Sequence, residues 1–190
     1  MRTILGLDFD GVIIDPIQPK IAIARKIGFH IEPHQTPAVI LKKLMPESEY
    51  EKFKYFLYDD PETALNCSLM PGFTGFIKKI RENDVPYFII SRRKENFDIP
   101  VMLLQKHSLW PDYFNEKNLF FVAEKEDKNK KAVELGVTHY IDDDPKVLDK
   151  LTDVKHRILF DPLGVFNTSE YKVISSWDDL LTRRDFLLGF

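Results

Sequence analysis

The chain opens with a short apolar run, TILGLD (residues 3–8), that stops at two carboxylates, Asp8 and Asp10, and at Gly11. A run this short, closed by a glycine-containing turn, predicts a buried strand. Residues 17–66 then change character. The segments QPKIAIARKIG, TPAVILKKL and ESEYEKFKYFLY carry helical patterning and are punctuated by Pro33, Pro37 and Pro46. No strand pattern stands out among them, which predicts a helical insert.

From residue 70 onward the pattern alternates. FTGFIKKIREN (73–83) predicts an amphipathic helix, with Phe73, Phe76, Ile77 and Ile80 on one face and Lys78, Lys79, Arg81 and Glu82 opposite. VPYFIIS (85–91) predicts a strand. DIPVMLLQKHSL (98–109) predicts a helix with Asp98 as N-cap and Pro100 in its first turn. NLFFVAE (118–124) is the next strand and DKNKKAVELG (127–136) a helix closed by Gly136. THYIDDD (138–144) is a strand, PKVLDKL (145–151) a short helix, HRILFDP (156–162) a strand, and KVISSWDDLLTRR (172–184) a last short strand and helix. This alternation predicts an α/β fold: a Rossmann-like, mainly parallel sheet of five to six strands, flanked by helices, with a small helical cap inserted after the first strand. The expected division is a core of residues 1–15 and 69–190 and a cap of residues 16–68.

Composition narrows the function classes. One core domain of 190 residues is expected, and 44% hydrophobic with 30% charged residues is ordinary for a globular chain. A net charge of -3 gives no support for a nucleic-acid-binding surface. Cys67 is the only cysteine, which excludes an intramolecular disulfide and a cysteine metal site and suits a reducing cytoplasm. The N-terminal apolar run meets Asp8 too early for a signal peptide, and no apolar run approaches the ~20 residues of a membrane span, so a cytoplasmic protein without membrane contact is expected.

In a parallel sheet, ligands bind at the carboxyl ends of the strands. The first strand ends at Asp8. The second ends at Ser91, followed by Arg92 and Arg93. The third runs into Glu124, with Lys128 close behind, and the fourth ends at Asp142, Asp143 and Asp144. One rim therefore gathers carboxylates, a hydroxyl and a lysine. Carboxylates without histidine or cysteine favour a hard cation, and magnesium fits best. Such a site suits phosphate chemistry. One aspartate attacks phosphorus, a second protonates the leaving oxygen and later activates water, Ser91 donates to a phosphate oxygen, and Lys128 adds positive charge.

With these residues in order — DFDGV after a first strand, Ser91 after a second, Lys128 in a later helix, IDDDP after a fourth — the chain resembles the haloacid dehalogenase superfamily. The resemblance implies a magnesium-dependent phosphatase acting on a small phosphomonoester through an aspartyl-phosphate. Asp8 is then the nucleophile and Asp10 the general acid/base. Ser91 binds the phosphoryl group, Lys128 neutralises it, and Asp143, with Asp142 as second choice, holds magnesium together with Asp8 and the main-chain carbonyl of Asp10. LMPGFTGFIKKIREN, the SRR turn, THYIDDDP and ILFDP look similar to the deoxyribonucleotidase-like branch, which implies a nucleoside monophosphate substrate. A phosphosugar mutase or a dehalogenase on the same fold, or a non-catalytic phosphate-binding protein, are the alternatives; a dehalogenase needs neither Asp10 nor a metal.

Several of these residues also have plainer readings. Arg92 and Arg93 suit solvated or structural roles, with Arg92 placed on the substrate side. Lys125, Lys130 and Lys131 compete with Lys128, and Asp144 is the expected N-cap of the helix at Pro145. Helical spacing puts Tyr50, Phe53, Phe56 and Leu57 on a packed face and projects Tyr55 and Tyr58 elsewhere; surface is the plainer reading of those two, contact with the substrate's leaving group the functional one. The five histidines lack ligand spacing, and Cys67 reads as a small buried residue.

Overall fold

The computed structural model describes residues 2–182. In chain order the elements are β1 (Leu5–Leu7), β2 (Ile14–Asp15), α1 (Ile17–Lys26), a 3₁₀ turn (Pro33–Gln35), α2 (Ala38–Leu41), α3 (Glu47–Tyr58), α4 (Pro61–Ala64), β3 (Ser68–Leu69), α5 (Phe73–Glu82) and β4 (Tyr87–Arg92). There follow α6 (Asp98–Lys106), β5 (Leu119–Val122), α7 (Lys125–Glu134), β6 (His139–Asp142), α8 (Pro145–Leu148), β7 (His156–Phe160), β8 (Lys172–Ile174) and α9 (Trp177–Thr182). Six strands form one sheet in the order β5-β4-β1-β6-β7-β8, and every pairing in it is parallel. This is the expected α/β, Rossmann-like architecture. With β1 between β4 and β6, three strand ends meet where the chain order reverses, the place where such sheets bind ligands.

Alternating side chains build two apolar layers, one on each face of the sheet. Ile89, Ile141 and Ile158 pack with α5, α6 and α9, whereas Ile90, Tyr140 and Leu159 pack with residues of α7 and α8. Gly6 is required by this packing. A Cβ there would lie 2.5 Å from the Tyr140 ring, whose hydroxyl donates to Ile90 O at 2.7 Å.

Helices α1 to α3 pack around a cluster of their own that includes Ile23, Leu41, Phe53 and Leu57, whereas Ala64 of α4 packs into the sheet-side layer. The chain enters and leaves this insert through a neck that the hydrophobic pattern did not reveal. There β2 pairs antiparallel with β3, Ile14 opposite Leu69 and Asp15 opposite Ser68. Two residues per strand are too few to display a period.

Several boundaries differ from expectation, and α6 ends at Lys106, short of residue 109. Helix α7 begins at Lys125, not 127, because Glu124 and Asp127 form a reciprocal capping box that starts the helix earlier. Asp98 is the first residue of α6 rather than its N-cap, which is Phe97. Helix α8 stops at Leu148, short of residue 151. The expected last helix extends to Arg183 and Arg184, which lie outside the described residues. Among the described residues, no helix is long and apolar enough to cross a membrane.

His139 and His156 face each other across β6 and β7, with their rings stacked 4.2 Å apart. Burial and the neighbouring His156 pull His139 down to about 4. An unfolded histidine takes up its proton near pH ~6.5, so between that value and the lowered one the unfolded chain binds more protons. Stability should therefore fall as pH drops through this window. Melting temperature measured against pH should decline less steeply in His139→Gln than in the parent; identical slopes would assign the loss to other groups.

Candidate active site

Asp8 follows directly on β1, where its N–H donates to Ile141 O of the neighbouring strand at 3.0 Å. The next residues fold back tightly: Ile13 and Ile14 N–H both donate to Phe9 O, and Gly11 N–H donates to Ile14 O at 2.8 Å. Gly11 has φ +87, and a Cβ there would meet Asp143 Oδ2 at 2.3 Å. Glycine thus serves both the left-handed backbone and the close approach of a carboxylate. Trp177, fully buried on α9, donates its indole N–H to Val12 O at 3.0 Å and props this loop from below.

Lys128 lies in the first half of α7 and is only 2% exposed. Its Nζ donates to Asp8 Oδ1 at 2.7 Å and to Asp142 Oδ2 at 2.9 Å. Its rivals lie elsewhere: Lys125 pairs with Asp144, Lys130 with Asp127, and Lys131 with Glu134. Burial alone would pull the Lys128 ammonium down, but the Asp142 and Asp8 carboxylates outweigh it and hold the charge well above the usual lysine range. Asp142 is wholly buried, and its Oδ1 accepts from Asp144 N–H at 3.0 Å. Asp144 in turn caps α8, accepting from Lys146 N–H at 2.9 Å. Ser91, also buried, sits near the end of β4 beside β1.

Asp8, Asp142 and Asp143 can each bring a carboxylate oxygen within 4.8 Å of the other two. Asp143 has no hydrogen bond or ion pair among the described residues. Burial, and next the Asp142 charge, push it well above the ordinary carboxylate range. Three crowded hard-oxygen donors, one of them unpartnered, are short of positive charge. That donor set fits a divalent cation such as magnesium.

A cavity of about 740 Å³ opens above these residues, walled by strand ends on one side and by α1, α3 and the residues around α2 on the other.

No protein-family model matches the sequence, and no curated protein matches it. Solved structures do. A haloacid dehalogenase (HAD) family hydrolase from Deinococcus radiodurans, with bound phosphate and sodium, superposes with a TM-score of 0.63 over 99% of this chain and 96% of that one, at 13% identity. A HAD hydrolase of family IA, variant 3, from Entamoeba histolytica gives 0.65 over 100% and 99%, also at 13% identity. A predicted phosphoglycolate phosphatase from Haemophilus somnus gives 0.57 over 95% and 96%, at 10% identity. The fold is that of the HAD hydrolases.

Within this HAD fold, the residues singled out in the sequence lie at adjoining strand ends, but not all point alike. Arg92 is exposed on the cavity wall. The arginine that reaches the carboxylates is Arg93, 8% exposed, with Nη2 at 3.4 Å from Asp10 Oδ2 and Nη1 donating to Tyr58 O at 2.9 Å. Adjacent arginines on a strand point to opposite faces, and sequence alone does not say which faces inward. Burial raises Asp10, and Arg93 is the main charge pulling it back down.

Lys20 of α1 was not singled out by the pattern, where it reads as an ordinary polar helix position. It is buried, donates to Thr36 O at 3.1 Å and lines the cavity. Tyr50 stacks on Phe53, as its helical spacing predicts, yet also lines the cavity with Tyr55 and Tyr58. Cys67 is buried, and burial pushes its thiol up to about 12, which keeps it unreactive.

The charge imbalance generates a prediction that needs no assay of activity. Asp143→Asn removes an unpartnered carboxylate, so its melting temperature without metal should rise. The upward shift that magnesium produces in the parent should shrink. An undiminished shift would remove Asp143 from the cation site. Lys128→Met leaves two carboxylates without their cation and should cost about 3–5 kcal/mol in denaturant unfolding.

Proposed function

We propose that this protein is a magnesium-dependent phosphatase that hydrolyses a small phosphomonoester through an aspartyl-phosphate. The observation that carries this reading is the Lys128 ammonium held between Asp8 and Asp142 beside the unpartnered Asp143, with Ser91 on the adjoining strand. The phosphate bound to the Deinococcus radiodurans neighbour is in keeping with it.

Lys128 engages Asp8 Oδ1, so Oδ2 is the attacking atom. As it bonds to phosphorus, the bond from phosphorus to the leaving oxygen breaks, and Asp10 gives that oxygen its proton. Burial favours the protonated form of Asp10 that this step needs. Asp10 then takes a proton from water as the water oxygen attacks phosphorus, which frees inorganic phosphate and Asp8. Ser91 and Lys128 hold the phosphoryl oxygens during both transfers. Asp8, Asp143 and the Asp10 carbonyl would hold magnesium, with Asp142 committed to Lys128; when bound, the ion would supply charge that draws in the phosphoryl group and relieves the crowded carboxylates.

Residues 16–68 act as a cap that excludes water and reads the leaving group, with Arg92 on the wall that the substrate meets. Tyr50, Tyr55 and Tyr58 line the cavity where the leaving group would sit, so a nucleoside monophosphate is a natural substrate to test in a cytoplasmic setting.

Asp8→Asn should fold normally and lose all turnover of p-nitrophenyl phosphate, because an amide is a very poor nucleophile. Acid-quenched parent enzyme should carry an acyl-phosphate that the variant lacks. Excess EDTA should abolish activity and magnesium restore it. Normal turnover by the folded variant would eliminate the covalent route. Replacing Tyr55 or Tyr58 by Ala should change relative kcat/KM among phosphomonoesters while leaving inhibition by inorganic phosphate nearly untouched; equal losses for all substrates would mean the tyrosines only pack.

A further inference from the structure

The chain as a whole carries a net charge of -3, yet its cavity does not share that sign. Leaving aside the floor residues Asp8, Asp10, Lys128, Asp142 and Asp143, the cavity is lined by nine basic and four acidic side chains. Most of the basic ones are committed. Lys42, Lys54 and Lys125 pair with Glu47, Glu51 and Asp144, Lys94 pairs with Glu124, Arg93 pairs with Asp10, and Lys20 donates to Thr36 O.

Three remain. Lys43 follows α2 in the insert, Arg92 ends β4, and Lys146 lies in the first turn of α8. Among the described residues, none of the three has a carboxylate partner. They come from both walls and are exposed, whereas the floor that handles the phosphoryl group is buried or half-buried. Like charges gathered round one opening repel each other unless an anion comes between them.

We propose that the natural substrate carries a second anionic group on its leaving side, held by Lys43, Arg92 and Lys146 while the scissile phosphoryl group sits on the floor. The proposal rests on the phosphatase reading and sharpens it. A cavity of about 740 Å³ is far larger than one phosphate needs, so the scaffold between the two anions is of sugar or nucleoside size. A nucleoside monophosphate alone leaves the three cations unmatched; a bisphosphorylated sugar or nucleoside satisfies both ends. The three tyrosines on the insert wall suit either scaffold, since sugar rings and bases both pack on aromatic faces.

Two pairs of compounds separate the scaffolds: fructose 1,6-bisphosphate against fructose 6-phosphate, and adenosine 3′,5′-bisphosphate against adenosine 5′-monophosphate. Dissociation constants are measured by calorimetry on Asp8→Asn protein in excess magnesium, and kcat/KM on the parent. In at least one pair the doubly anionic member should be favoured about tenfold or more, the worth of one charge-assisted contact. Lys43→Ala with Lys146→Ala should bring that ratio near one, as should the single reversal Lys146→Glu, each in protein that still unfolds cooperatively.

Ratios near one in both pairs would overturn the proposal. So would a preference that survives both sets of substitutions. If the substitutions slow both members of a pair equally, the basic rim merely steers phosphate from solution and the proposal falls. If the parent turns over neither these compounds nor p-nitrophenyl phosphate, but binding remains selective and sensitive to Lys43 and Lys146, the phosphatase reading fails and the second anion site stands.

Discussion

A lysine ammonium that is 2% exposed must be matched by negative charge, and Lys128 is matched twice, by Asp8 and by Asp142. Much of the molecule follows from that requirement. The two carboxylates end adjacent strands, β1 and β6, whose parallel register pairs Leu7 with Ile141 and so brings Asp8 and Asp142 side by side. Without the lysine, their repulsion would sit at the centre of the sheet. With it, the trio forms a compact polar group on an apolar base, its ammonium 5.7 Å from the centre of the Tyr140 ring. Tyr140 needs the space beneath β1, which is why position 6 is glycine. Asp143 needs the space beside the Asp10 turn, which is why position 11 is glycine. These two glycines answer steric demands, one from the ring beneath the charged trio and one from a carboxylate of the site.

That logic explains how much of the fold and candidate site was legible in the sequence. Apolar runs that stop at charged residues mark both a strand and the end of it that faces a ligand, so one pattern located the sheet and pointed to Asp8, Ser91 and Asp142. Lys128 stood out from its neighbours only through the family-like spacing to Leu135 and Gly136; its burial is a tertiary fact. The neck between β2 and β3 stayed hidden because two-residue strands have no period. Arg93 and Lys20 stayed hidden for another reason. A charged residue is buried by what surrounds it, and those surroundings come from distant parts of the chain: Tyr58 and Asp10 for Arg93, Thr36 for Lys20.

The contacts between the insert and the strand ends differ in kind from those within either part. The insert has its own apolar cluster around Ile23, Phe53 and Leu57, separate from the two layers on the sheet. Across the divide the ties near the site are polar. Arg93 donates to Tyr58 O, Asn96 Nδ2 donates to Asp59 Oδ1 at 2.8 Å, and both acceptors lie at the C-terminal end of α3, where a helix presents unsatisfied carbonyls and partial negative charge. Arg93 keeps one buried donor, Nε, without a partner, the only such side-chain atom among the described residues.

This division of labour suits the proposed cap. Each polar tie contributes only about 0.5–1.5 kcal/mol net, because water replaces the lost bond when the tie opens. Separating an apolar interface carries no such compensation. A segment held near the site by its own core and a few hydrogen bonds could therefore part from the strand ends while its base, where Ala64 and Cys67 join the sheet-side layer, stays packed. The guanidinium that would be released is the one bonded to Asp10, so the same contact that fastens the insert also sets the surroundings of the proposed general acid. In the proposed cap, its position and the environment of the proton donor would be linked through a single side chain, and the unpartnered Arg93 Nε lies at that junction.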